Sequence, residues 1–111
     1  MTLVNPLPWI QRAQREHFAV GAFNANTLEQ VQAIVIAAQA EKAPVLIQIS
    51  HRALQYMGSG NITLGLRYMA AIGKIAAQSV AVPIGLHLDH ASESEVVEAI
   101  ALGPKKICET V

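Results

Sequence analysis

The densest concentration of chemically capable side chains is HLDH, where His87, Asp89 and His90 occupy three of four positions at the end of the apolar run VPIGL. Imidazole and carboxylate are the groups of general acid–base catalysis and of metal binding. In an extended strand His87 and Asp89 share one face, and Leu86 and Leu88 take the other. His90 lies roughly 10 Å beyond His87 along an ideal strand, too far for both to hold one metal unless the backbone bends. A catalytic zinc takes about three protein ligands and keeps an open position. The tetrapeptide is therefore not a self-contained zinc site, and recruiting His17 or His51 would need long-range geometry that the sequence does not advertise. Taken alone, His87 reads as a hydrogen-bonded core histidine and His90 as a loop residue. Asp89 is different: a carboxylate ending an apolar strand carries a desolvation cost unless a partner or a function retains it.

The elements that must position these residues follow from hydrophobic pattern and caps. A proline-bounded helix is predicted over roughly Pro8 to Glu16, and FAVGAFN reads as a buried strand ending on Asn24. The next helix has Asn26 or Thr27 as N-cap, Glu29 or Gln30 three residues on, and Leu28, Val31, Val35 and Ala38 on one face. Pro44 stops it, and PVLIQIS is a second strand ending on Ser50. HRALQYMGSGN carries a loop signal in Gly58-Ser59-Gly60. A third helix runs from about Asn61 to Ser79, with Ile62, Leu66, Met69 and Ala76 inward. VPIGLHLDH is the third strand. Ser92 with Glu95 then forms a capping box, Val96, Ala99 and Ile100 form an apolar stripe, and Gly103-Pro104 is a helix stop. KKICETV is a weaker candidate for a fourth strand.

Strands that are apolar throughout and alternate with helices imply a parallel sheet covered by helices, an α/β protein. In such folds the C-terminal strand ends carry the chemistry, and here those ends are Asn24, Ser50 and His87 to His90.

The 111 residues are 52% hydrophobic and 14% charged, which indicates an ordered core rather than a disordered chain. Eight Lys and Arg balance eight Asp and Glu, so there is no excess positive potential for a phosphate backbone or anionic lipid; nucleic acid and membrane partners are not expected. A mean hydropathy of +0.34 is high, yet Lys, Arg, Gln or His interrupts every stretch before the ~20 apolar residues a spanning helix needs. The single Cys108 closes no intrachain disulfide and MTLVNPLPWI has no signal-peptide pattern, so the expected location is cytoplasmic.

Over residues 5 to 103, AFNANTLEQVQAIVIAAQAEKAPVLIQIS and PIGLHLDHASESEVVEAIALG resemble the N-terminal part of class II fructose-bisphosphate aldolase, with AFN, the strand PVLIQIS and HLDH in family order and spacing. Tagatose-bisphosphate aldolases are close relatives. The resemblance implies a partial TIM (β/α)8 barrel made of the first three to four βα units and an N-terminal helix. It also implies a Zn2+-dependent lyase that cleaves a ketose bisphosphate into triose phosphates, homo-oligomeric when intact. Carried onto this sequence, it makes Asp89 the proton-donating catalytic residue, His90 a zinc ligand, and Ser50 and Asn24 substrate contacts, with His87 as a supporting residue. A whole TIM barrel takes about 250 residues. Residues 1–111 are thus expected to form an incomplete barrel from a truncated or frameshifted product, and 104–111 depart from the family pattern. The remaining zinc ligands and phosphate loops are absent, which leaves an isolated chain without activity; the alternative is a non-catalytic half-barrel interaction module.

Overall fold

The computed structural model describes residues 3–101 and the backbone of 102 and 107–109. Helix α1 (Leu7–Glu16) leads into β1 (Gly21–Asn24), α2 (Leu28–Glu41), β2 (Val45–Ser50), α3 (His51–Met57), α4 (Ile62–Gln78), β3 (Ile84–Asp89), α5 (Glu93–Leu102) and β4 (Ile107–Glu109). The strands form one sheet in the order β1-β2-β3-β4, parallel throughout, as continuous apolar strands separated by helices require. This is a segment of barrel wall with three complete βα units and a fourth strand, the lower-ranked strand in KKICETV being formed at Ile107–Glu109.

Local chemistry starts the helices. Thr27 rather than Asn26 is the N-cap of α2, its hydroxyl accepting from the Gln30 amide, while the Gln30 side chain reaches back to accept from the Asn26 amide. Asn61 caps α4 through the Leu64 amide. At α5, Ser92 and Glu95 satisfy one another's amides in the expected reciprocal box. The predicted stop at Gly103-Pro104 lies outside the described residues.

Alternation along the strands sorts side chains into two layers. Ile47, Ile49, Ile84, Leu86 and Leu88 point outward and are buried beneath α2, α4 and α5 with Val31, Val35, Leu54, Met69 and Ala99. The expected stripes are covered only in part, since Leu28 is 48% exposed and Ile100 56%. Helix α3 occupies part of what reads as loop in the sequence. It packs on α4 at Gly65, where a Cβ would stand 2.1 Å from the Leu54 carbonyl oxygen, so only glycine permits that approach. The other sheet face carries Asn24, Gln48, Ser50, His87 and Asp89. At its opposite end the N-terminal segment closes in, the Val4 amide donating to the Ile84 carbonyl at 3.0 Å. Gly85 makes room there, a Cβ at that position falling 2.6 Å from Leu46.

Among the described residues, β1 and β4 are the edge strands of the sheet, each with one hydrogen-bonded neighbour. Beside β1 an apolar groove of about 550 Å³ is lined by Phe18, Phe23, Ala33, Ile34, Ala37 and Val45. Among the described residues, no helix is long and apolar enough to cross a membrane.

Candidate active site

Register builds the site. Asn24, Gln48 and His87 are Cα partners across β1, β2 and β3, and two residues on Ser50 pairs with Asp89, so all five side chains rise from one sheet face at the C-terminal strand ends. The Gln48 amide joins them. Its Nε2 donates to Asp89 Oδ2 at 3.0 Å and to Asn24 Oδ1 at 3.4 Å, and its Oε1 accepts from His87 Nδ1 at 3.1 Å. Asp89 is therefore a half-buried carboxylate with a neutral donor, its side chain 15% exposed. This resolves the desolvation question at the end of the apolar strand.

His90 follows directly on Asp89 with a left-handed backbone, φ 53°, which ends the strand abruptly. Its side chain is 85% exposed, with Nε2 3.7 Å from Asp89 Oδ2. Together with Ser50, His51 and Arg52 it lines an open cleft of about 400 Å³. Ser50 serves as N-cap of α3, its hydroxyl oxygen accepting from the Ala53 amide, which leaves the hydroxyl proton able to donate elsewhere. The two loops at the cleft are tied together: His51 Nδ1 donates to Glu95 Oε1 at 2.5 Å, while Oε2 of the same buried carboxylate holds the Ser92 amide.

The structure thus brings Asn24, Ser50 and Asp89 onto one face and puts His90 at its rim. His17 ends α1, before β1 begins, and so belongs to the opposite end of the sheet; His51 is engaged by Glu95. Among the described residues, no group of three His, Cys, Asp or Glu side chains could hold a metal ion. Sequence reasoning passed over Gln48, the residue that makes the others a network. Its signal was parity: it stands two positions before Ser50, on the same strand face.

The model of the family described as fructose-bisphosphate aldolase class-II matches residues 4–106. A fructose-bisphosphate aldolase of Streptococcus pneumoniae is 39% identical over 103 residues, which cover 93% of this chain and 34% of that protein. One of Geobacillus stearothermophilus is 37% identical over 99 residues, 89% of this chain and 33% of that protein. The crystal structure of a fructose-bisphosphate aldolase from Campylobacter jejuni superposes with a TM-score of 0.75 at 27% identity, covering 87% of this chain and 30% of that one. The chain spans about a third of the length of the curated relatives it matches.

Proposed function

The chain belongs to the class-II fructose-bisphosphate aldolase family, and from that premise we propose that it supplies the proton-exchanging corner of an aldolase site. That site reversibly cleaves fructose 1,6-bisphosphate to dihydroxyacetone phosphate and glyceraldehyde 3-phosphate. The observation that carries this reading is Asp89, a half-buried carboxylate at a C-terminal strand end with one oxygen pinned by Gln48. Breaking the C3–C4 bond of the ketose turns the C4 hydroxyl into an aldehyde, so a base must take the C4 proton and return it in the reverse direction. Asp89 has the chemistry and the placement for that exchange. Ser50 and Asn24, on the same face, hold substrate hydroxyl or phosphate oxygens.

His90 is the zinc ligand this chain offers; the described residues do not make up a zinc site by themselves, and the other ligands come from outside them. When bound, zinc supplies Lewis-acid polarisation of the ketose carbonyl. With His90 as the one zinc ligand among the described residues, the isolated chain does not turn over fructose 1,6-bisphosphate. In the whole enzyme the setting is glycolytic and cytoplasmic, and the assembly a homo-oligomer.

The test is made in an intact aldolase that carries these residues as its N-terminal third. Asp89→Ala is expected to keep its zinc and lose turnover by on the order of a hundredfold or more, the effect of removing a general acid–base group. His90→Ala is expected to lose zinc and activity together. Zinc retained in the His90 variant and lost in the Asp89 variant would reverse the two roles, and unchanged turnover in both would defeat the reading.

A further inference from the structure

We infer that Gln48 is a positioning residue that fixes the rotation of the Asp89 carboxylate and the tautomer of His87. The inference rests on the reading of Asp89 as the proton-exchanging group, but its physical content stands on geometry alone. Gln48 lies on the middle strand, between Asn24 on β1 and His87 on β3 in one register row, and its side chain reaches one row further to Asp89. A primary amide has two N–H donors on one side and a carbonyl acceptor on the other. Both donor directions are used, toward Asp89 Oδ2 and Asn24 Oδ1, and the carbonyl meets His87 Nδ1.

Only one orientation of this amide is chemically consistent. Turned over, its carbonyl oxygen would face a carboxylate oxygen and a second carbonyl oxygen, both acceptors. With the amide so fixed, His87 must carry its proton on Nδ1, because an amide oxygen can only accept. This is the minor tautomer of a free neutral imidazole. The same amide holds Asp89 Oδ2, so the carboxylate cannot rotate to exchange its two oxygens without breaking the bond to Gln48. A glutamine at this inward position therefore does what neither an apolar residue nor glutamate can do. Leucine or methionine offers no polar contact, and glutamate keeps an acceptor for His87 but sets one carboxylate against another.

The experiment uses the 111-residue chain labelled with 15N-histidine, at about pH 8, above the ordinary histidine range, with the His87 resonances assigned by their loss in His87→Asn. In the wild type, His87 is expected to be protonated on Nδ1. In Gln48→Met the share of His87 protonated on Nδ1 is expected to fall, while the His51 resonances, held by Glu95, stay in place as a check that the fold persists. Gln48→Glu is expected to keep His87 on Nδ1–H, a rescue that packing volume alone does not explain. A wild-type His87 protonated on Nε2 overturns the proposal even if no variant folds, and so does a Gln48→Met chain with unchanged His51 signals and His87 still on Nδ1–H. Loss of turnover in Asp89→Ala is a separate readout, so failure of the aldolase reading and failure of the Gln48 role are told apart.

Discussion

Strands β2 and β3 bury the same positions in the same order, with only the fourth and sixth residues of each half-exposed, whereas β1 leaves Ala22, Phe23 and Asn24 exposed. Side-chain chemistry does not separate them, since Phe23 is as apolar as Ile47, its register partner on β2. Ile47 is 0% exposed and Phe23 is 55% exposed. The difference lies in what surrounds each. Strands β2 and β3 have a hydrogen-bonded neighbour on each side and a helix over the outer face, while β1 has one neighbour and beside it a groove that none of the described residues fills. Apolar composition gives a strand the capacity for burial, and only the neighbours realise it.

The largest effect that tests this comparison is on stability. Ile47→Ala or Leu86→Ala is expected to cost about 2–5 kcal/mol, because each empties a fully enclosed site. Phe23→Ala is expected to cost about 1 kcal/mol or less despite removing a larger side chain, since much of that ring is already in water. Urea denaturation of the three variants measures this, and equal losses at 23 and 47 would erase the distinction between the strands.

How much of this was legible in the sequence follows the same division. Three strands and four helices are marked by apolar runs, prolines and caps, and Ser92 with Glu95 announces α5 because its box is purely local. Helix α3 was hidden. Seven residues are too few to show a helical period, and its burial depends on Ala53 and Leu54 meeting α4, a tertiary event. Leu28 and Ile100 lie on apolar helical faces, but periodicity does not reveal how wide a stripe the next element covers. At the site, polar strand endings pointed to Asn24, Ser50 and Asp89. Gln48 is a polar residue inside the apolar run PVLIQIS, with nothing local to mark it; strand pairing is what puts it between Asn24 and His87.

A second, smaller effect concerns association. The groove and the unpaired outer edge of β1 present apolar surface together with free backbone donors and acceptors, a combination that promotes contact between chains. Wild-type chain is expected to show a concentration-dependent mass by light scattering, and Phe23→Lys to reduce it. If the lysine variant associates equally, self-association runs through another surface, and β1 is not the weak side of the molecule.

The smallest effect is expected in α1, which precedes β1 and buries only Ala13. Its Arg12–Glu16 pair, at 2.9 Å, is exposed and solvent-screened. The hydrogen bond from Arg12 holds the Glu16 carboxyl below its ordinary value, with the charges of Arg12 and Arg15 adding to the shift and desolvation opposing it. A depressed folded-state pKa means the pair stabilises the helix above the ordinary carboxylate range and loses that contribution as pH falls through the lowered value. Protection of the α1 amides from exchange, measured against their intrinsic rates, should therefore fall slightly on acidification, and Glu16→Gln should remove that dependence while leaving β2 and β3 unaffected. Equal acid sensitivity with and without Glu16 would rule the pair out as its source.

The backbone at His90 has a consequence of another kind. A histidine at φ 53° sits in a conformation that glycine adopts freely and that costs other L-residues on the order of 1 kcal/mol. Its imidazole, 85% exposed, recovers little of this through packing. At position 90, robustness and chemistry are thus in competition. A library screened for thermal resistance alone would enrich glycine there, and every such gain would remove the imidazole beside Asp89 from the mouth of the barrel wall.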